Sequence, residues 1–172
     1  MTASHFEVLG LPQRFGVDAG AVERNYLARS RESHPDFHQL ASASEQRGSL
    51  EASALLNEAY TTLRDPFRRA EYLLGLLGGP SPAEHKHMPP DFLEEMLELR
   101  MEIAELRDAH DPAALATMER RLQDRRAILV EQIASRFDAH QQQPSRDLLV
   151  EVRQLLNEAK YIQGQLRDLR AD

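Results

Sequence analysis

Seven apolar residues near the C-terminus, Leu148, Val152, Leu155, Ala159, Ile162, Leu166 and Leu169, alternate spacings of four and three. That is a heptad seam held for three repeats, and a helix carrying it needs helical partners to cover it. Two upstream segments supply them. After Pro89-Pro90-Asp91 the pattern stays helical to near Ala109. A second helix starts at Asp111-Pro112 and runs to about His140, with Leu115, Met118, Leu122, Leu129, Ile133 and Phe137 on one side. Gln141, Gln142, Gln143 and Pro144 read as the next turn. Three long helices with short connections predict an antiparallel three-helix bundle.

The first half is also helical but differently organised. Residues 4 to 11 read as a short helix stopped by Gly10 and Pro12. Asp18 is a suitable N-cap for a second helix, which must end by Ser33 because Pro35 disfavours helical backbone before it. A third runs from about Ser44 to Arg64, with Ala52, Leu55, Leu56, Ala59, Tyr60 and Leu63 at helical spacing. A short extra helix follows Asp65-Pro66, spanning Phe67 to Leu77. The strongest breaker in the chain is Gly78-Gly79-Pro80-Ser81-Pro82. The expected architecture is all-α: residues 1–77 as one domain, 78–88 as a linker and 89–172 as the bundle. No strand-like alternation is present.

Composition narrows the functions open to such a fold. A net charge of -7 argues against broad binding to nucleic acid or anionic membranes, which need a basic surface. With no cysteine there is no disulfide framework, thiol nucleophile or thiolate metal site. The first ten residues lack a signal-peptide pattern, and no segment approaches a membrane span, so a soluble cytoplasmic protein is expected. His85-Lys86-His87 reads as solvated linker rather than as a metal site. No phosphate-loop or nucleophile-elbow motif is present, so neither an enzyme nor a bound cofactor or metal is expected.

One tripeptide stands out. His34-Pro35-Asp36 sits between two amphipathic helices, about 30 residues into the chain and after a short first helix. Pro35 fixes the backbone, Asp36 offers a bidentate acceptor for an arginine, and His34 can donate a hydrogen bond. The arrangement resembles the J domain of the DnaJ family. That resemblance implies contact with a DnaK-class chaperone and stimulation of its ATP hydrolysis, with Arg24 and Arg31 among the helix residues facing the chaperone. Here Glu23 and Glu32 dilute the basic face, Ser33 stands where Tyr is common, and Phe37 where Lys or Arg often follows. Arg29 occupies a position where a Leu facing the third helix is expected, which predicts looser packing at that end.

Residues 62–74, TLRDPFRRAEYLL, and 92–100, FLEEMLELR, extend the resemblance to the HscB family over nearly the whole chain. The family implies a co-chaperone that binds an IscU-type iron–sulfur cluster scaffold through its C-terminal bundle. It delivers that scaffold to an HscA-class chaperone and holds no cluster itself. Its scaffold-binding positions fall on the first bundle helix and include Leu93, Leu97 and Glu98. Glu94 replaces an apolar residue of some relatives, and Asn157 loosely aligns with an aromatic of the last helix.

The helix itself carries two apolar stripes. Phe92, Met96, Leu99, Ile103 and Leu106 have core spacing, while Leu93, Leu97, Met101 and Ala104 form a second stripe rotated by about a third of a turn. Packing against two neighbours would bury both. Packing on one side would leave the second stripe as an apolar patch with Glu98 and Arg100 at its rim. The residues leave both open, as they leave open a J protein serving a different client or a helical interaction protein with a vestigial J loop.

Overall fold

The computed structural model describes residues 3–32 and 43–170. His34, Pro35 and Asp36, with Ser33, Phe37 and His38, lie outside the described residues. The described residues form seven helices: α1 (His5–Val8), α2 (Ala19–Glu32), α3 (Ala43–Arg64), α4 (Pro66–Leu76), α5 (Pro90–Asp108), α6 (Pro112–Gln142) and α7 (Arg146–Arg170). They contain no strand, and none of their helices is long and apolar enough to cross a membrane. The chain divides into two compact units, Met1–Leu73 and Leu74–Asp172, so the division falls within α4.

In the first unit α1 and α2 both pack on α3. Its core holds Phe6, Leu9, Phe15, Val22, Leu56, Ala59 and Leu63, while Ala52 is exposed at the start of the predicted face. The first helix is shorter than residues 4–11 suggested, and both its ends are capped. Ser4 and Glu7 form a reciprocal capping box at its N-terminus. At its other end Gly10 turns left-handed at φ 62°, and the N–H groups of Gly10 and Leu11 donate to Glu7 and Phe6. This is a Schellman closure. The next two carbonyls are taken by α2: Arg29 Nη1 donates to Val8 O at 2.5 Å and Asn25 Nδ2 to Leu9 O at 2.8 Å. The helix end therefore leaves no orphan acceptor. Arg29 does not face α3; it is an exposed clasp from α2 to α1. The α2–α3 pair is joined by stacking of Tyr26 on Tyr60, with Tyr26 Oη donating to Asn57 at 2.8 Å.

In the second unit α7 packs against both α5 and α6, which also touch each other. The seam holds at Val152, Ala159, Ile162, Leu166 and Leu169, all buried, whereas Leu148 and Leu155 are only half-buried. The first half of α7 buries Leu149, Arg153, Leu156 and Asn157 instead. The reason is the segment before α5, which lies on that half of α7. Asn157 Nδ2 donates to His85 O at 2.8 Å, Arg153 Nε donates to Asn157 Oδ1 at 3.1 Å, and Met88 is buried. His85 is thus tied down rather than solvated. The segment opens with a second left-handed glycine, Gly78 at φ 71°, whose bonds to Gly75 and from Gly79 to Leu74 close α4. A second S-x-x-E pair follows: Ser81 Oγ accepts from Glu84 N while Glu84 accepts from Ser81 N.

The α6 helix continues through Gln141 and Gln142, which the sequence suggested as turn. Its start matches its signal. Asp111 accepts from Ala113 and Ala114 N–H, with Pro112 in the first turn.

Candidate functional site

Each unit presents one surface of interest. In the first, Asp18 caps α2 through Gly20 and Ala21 N–H at 3.1 and 3.0 Å and also accepts from Arg24 at 3.1 Å. Those donors, led by Gly20 N–H and then Arg24, hold its pKa below the usual carboxylate range. Arg24 therefore remains exposed while anchored to the helix start, and Arg31 lies exposed two turns on. Between them, at spacings of three and four, sits Leu27, which is 48% exposed. Sequence reasoning overlooked it, although its place on the outer face of an amphipathic helix was a readable signal. The exposed strip is therefore Arg24–Leu27–Arg31, and it ends just before the tripeptide.

The stretch TLRDPFRRAEYLL has a different role. Asp65 caps α4 by accepting from Phe67 and Arg68 N–H. Arg69 is buried, and its Nη1 donates to Leu63 O at the end of α3 while its guanidinium lies 5.0 Å from the Phe15 ring. Burial lowers its pKa against the opposing pull of Asp65. Tyr72 stacks on His5 at 4.3 Å and its hydroxyl accepts from His5 N–H at 2.9 Å. The most distinctive stretch of this chain is thus an internal fastening of α1, α3 and α4, not a contact face.

In the second unit, α5 separates its two stripes. Met96, Leu99 and Ile103 are buried, and Phe92 and Leu106 are half-buried. Leu93, Leu97 and Met101 are 41%, 60% and 58% exposed, and Ala104 is exposed too. The bundle uses one stripe and leaves the other open. Glu94 and Glu98 are exposed on one flank. On the other, Arg100 approaches Asp168 of α7 at 4.0 Å. A third charge group sits on the inner side. Arg125 of α6 pairs with both carboxylate oxygens of Glu95 and lies 5.7 Å from the Phe92 ring. This hydrogen bonding lowers the Glu95 pKa, whereas burial raises that of Glu158 nearby.

Asn157, which the resemblance loosely set against an aromatic of the last helix, faces inward and is 8% exposed. Tyr161, one turn on, is 41% exposed and meets Phe92 edge-on at 5.5 Å.

A family model described as the DnaJ domain matches residues 4–72, and one described as the HSCB C-terminal oligomerisation domain matches residues 88–170. The co-chaperone protein HscB homolog of Bordetella petrii is 39% identical over 135 residues, covering 78% of each chain. The chain belongs to the HscB family of J-type co-chaperones. The HscB homolog of Ralstonia nicotianae is 44% identical over 113 residues, covering 65% of this chain and 64% of that protein, so the match spans just under two thirds of it. Among solved structures, chaperone HscB from Vibrio cholerae superposes with a TM-score of 0.84 at 27% identity, covering 97% of this chain and 95% of that one. Human co-chaperone HscB gives the same TM-score and identity over 98% and 81%. Against the HscB family, the open stripe on α5 lies inside the matched C-terminal domain, and the Arg24–Leu27–Arg31 strip inside the matched J domain.

Proposed function

We propose that this chain stimulates the ATPase of a DnaK/HscA-class chaperone through its J domain and delivers an IscU-type iron–sulfur cluster scaffold to it. The observation that carries the scaffold half is the open apolar stripe of α5. A helix whose Met96, Leu99 and Ile103 already fill the bundle has no folding need for Leu93, Leu97 and Met101 on its outer side. Three large apolar side chains in succession, rimmed by Glu98 and Arg100, suit a protein partner of complementary shape. Cluster chemistry belongs to the scaffold, so the iron and sulfur are cargo of the partner.

The chaperone half rests on His34, Pro35 and Asp36 and on the basic strip of Arg24 and Arg31 leading to them. Asp36 is suited to pair with an arginine of the chaperone, while Pro35 limits the backbone freedom lost on docking. A cytoplasmic setting fits a chain without cysteine.

ATP turnover by the cognate chaperone, measured with this protein, with scaffold and with both, tests the reading. Turnover should rise with this protein and rise further when scaffold is added, and Asp36→Ala should abolish both increments. Unchanged turnover with a folded wild-type protein refutes it.

A further inference from the structure

We infer that Met101 of α5 is a site of reversible oxidation by peroxide, and that its sulfoxide closes the open stripe to the scaffold; the effect on docking rests on the scaffold reading above. The chain has no cysteine, so thioether sulfur is the only sulfur an oxidant can meet. The described residues hold four methionines, and three of them are buried: Met88, Met96 and Met118 are 4%, 3% and 3% exposed. Met101 is 58% exposed.

The fold keeps that one sulfur uncovered. Both chain neighbours of Met101 are charged, and both turn to other helices. Arg100 reaches towards Asp168 of α7 at 4.0 Å, and Glu102 accepts from Arg121 of α6 at 3.4 Å. Along its own row Met101 has Leu97 one turn before it and Ala104 and Glu105 one turn after, all exposed. A buried methionine meets an oxidant only when the fold opens around it, whereas Met101 needs no opening.

The reaction closes without help from other groups of the chain. A sulfur lone pair attacks one oxygen of hydrogen peroxide, so an S–O bond forms as the O–O bond breaks. The sulfur gives up two electrons, the hydroxyl proton passes to the departing hydroxide, and one water leaves. The return step takes a dithiol: two thiols become a disulfide and the oxygen leaves as water. This chain has no thiol, so the reductant is a separate methionine sulfoxide reductase. In the free protein the sulfoxide is solvated and the bundle is untouched. Under an apolar partner its oxygen must be stripped of water, so the cost falls on docking alone.

Peroxide treatment of the purified full chain, stopped with catalase before scaffold is added, tests this. Trypsin cuts after Lys86, Arg100, Arg107 and Arg120. Met101 therefore falls alone in peptide 101–107, while Met88 and Met96 share 87–100 and Met118 lies in 108–120. Mass spectrometry should find one added oxygen on 101–107 about tenfold sooner than on the other two, with the melting temperature nearly unchanged. Calorimetric titration should then show scaffold binding weakened by about tenfold, and restored by methionine sulfoxide reductase with a dithiol. Met101→Leu, compared with its own untreated sample, should lose nothing on peroxide treatment. Equal oxidation of the three peptides overturns the inference. So does unchanged binding by chain oxidised at Met101, or an equal loss in treated Met101→Leu. A wild-type chain that binds no scaffold before treatment overturns the scaffold reading and the docking half of this inference together, while the peptide map still decides whether Met101 is the selective site.

Discussion

Met96 and Leu97 are adjacent on α5 but point about 100° apart, so the fold assigns them opposite costs. Met96 is 3% exposed, and Met96→Ala removes a packed side chain from the bundle, costing about 2–5 kcal/mol of stability. Leu97 is 60% exposed. Full burial of a leucine stabilises by about 1.5–3 kcal/mol, so the open three fifths contributes about 1–2 kcal/mol once a partner covers it. Leu97→Ala should therefore weaken scaffold binding by about 5–30-fold while costing the free protein less than about 1 kcal/mol. Calorimetric titration with scaffold measures the first quantity, and urea unfolding followed by circular dichroism the second. If Leu97→Ala destabilises the fold as much as Met96→Ala, the stripe is buried and the geometry is wrong. If stability and binding are both unchanged, the stripe is open but is not where the scaffold docks.

Gly10→Ala forces a side chain into left-handed backbone and sets its Cβ 2.6 Å from the Arg29 guanidinium, which must leave Val8 O; thermal melts should show a loss of about 2–3 kcal/mol. Asn157→Phe should lower the melting temperature rather than strengthen scaffold binding, because Arg153 Nε and His85 O both lose their Asn157 partner. Burial holds the Glu158 pKa above the ordinary carboxyl value, with Arg125 opposing. The fold thus favours the protonated acid. Its contribution is complete below the unfolded pKa of about 4.3 and is lost as pH rises through the folded one. Glu158→Gln should flatten the fall of melting temperature as pH rises above the ordinary carboxyl range.

Local signals in the sequence read well. The α7 seam from Ala159 to Leu169, the centre of the α5 core stripe and the caps at Asp18 and Asp111 all depend on residues within a few turns of each other, and the structure realises them. So did the signals passed over: Ser4-x-x-Glu7 and Ser81-x-x-Glu84 are both legible as S-x-x-E. Features set by distant partners were not legible. Whether Leu93 and Leu97 are covered depends on which flank of α5 meets α7, a matter of helix azimuth rather than periodicity. Arg29 reads as a disrupted packing position until Val8 O, 21 residues away, is seen beside it. Asn157 reads as a lost surface aromatic until its bond to His85 O, 72 residues away, turns it inward.

The fastening formed by Arg69 and Tyr72 separates recognition from allegiance. The stretch that most clearly marks this chain as kin to its relatives is spent on joining its own helices, so a newcomer can carry it faithfully and still serve a different client. The outer row of α5 bears none of that burden. On the proposed function, swapping Leu93, Leu97 and Met101 for another chain's row would change the address on a parcel without opening it.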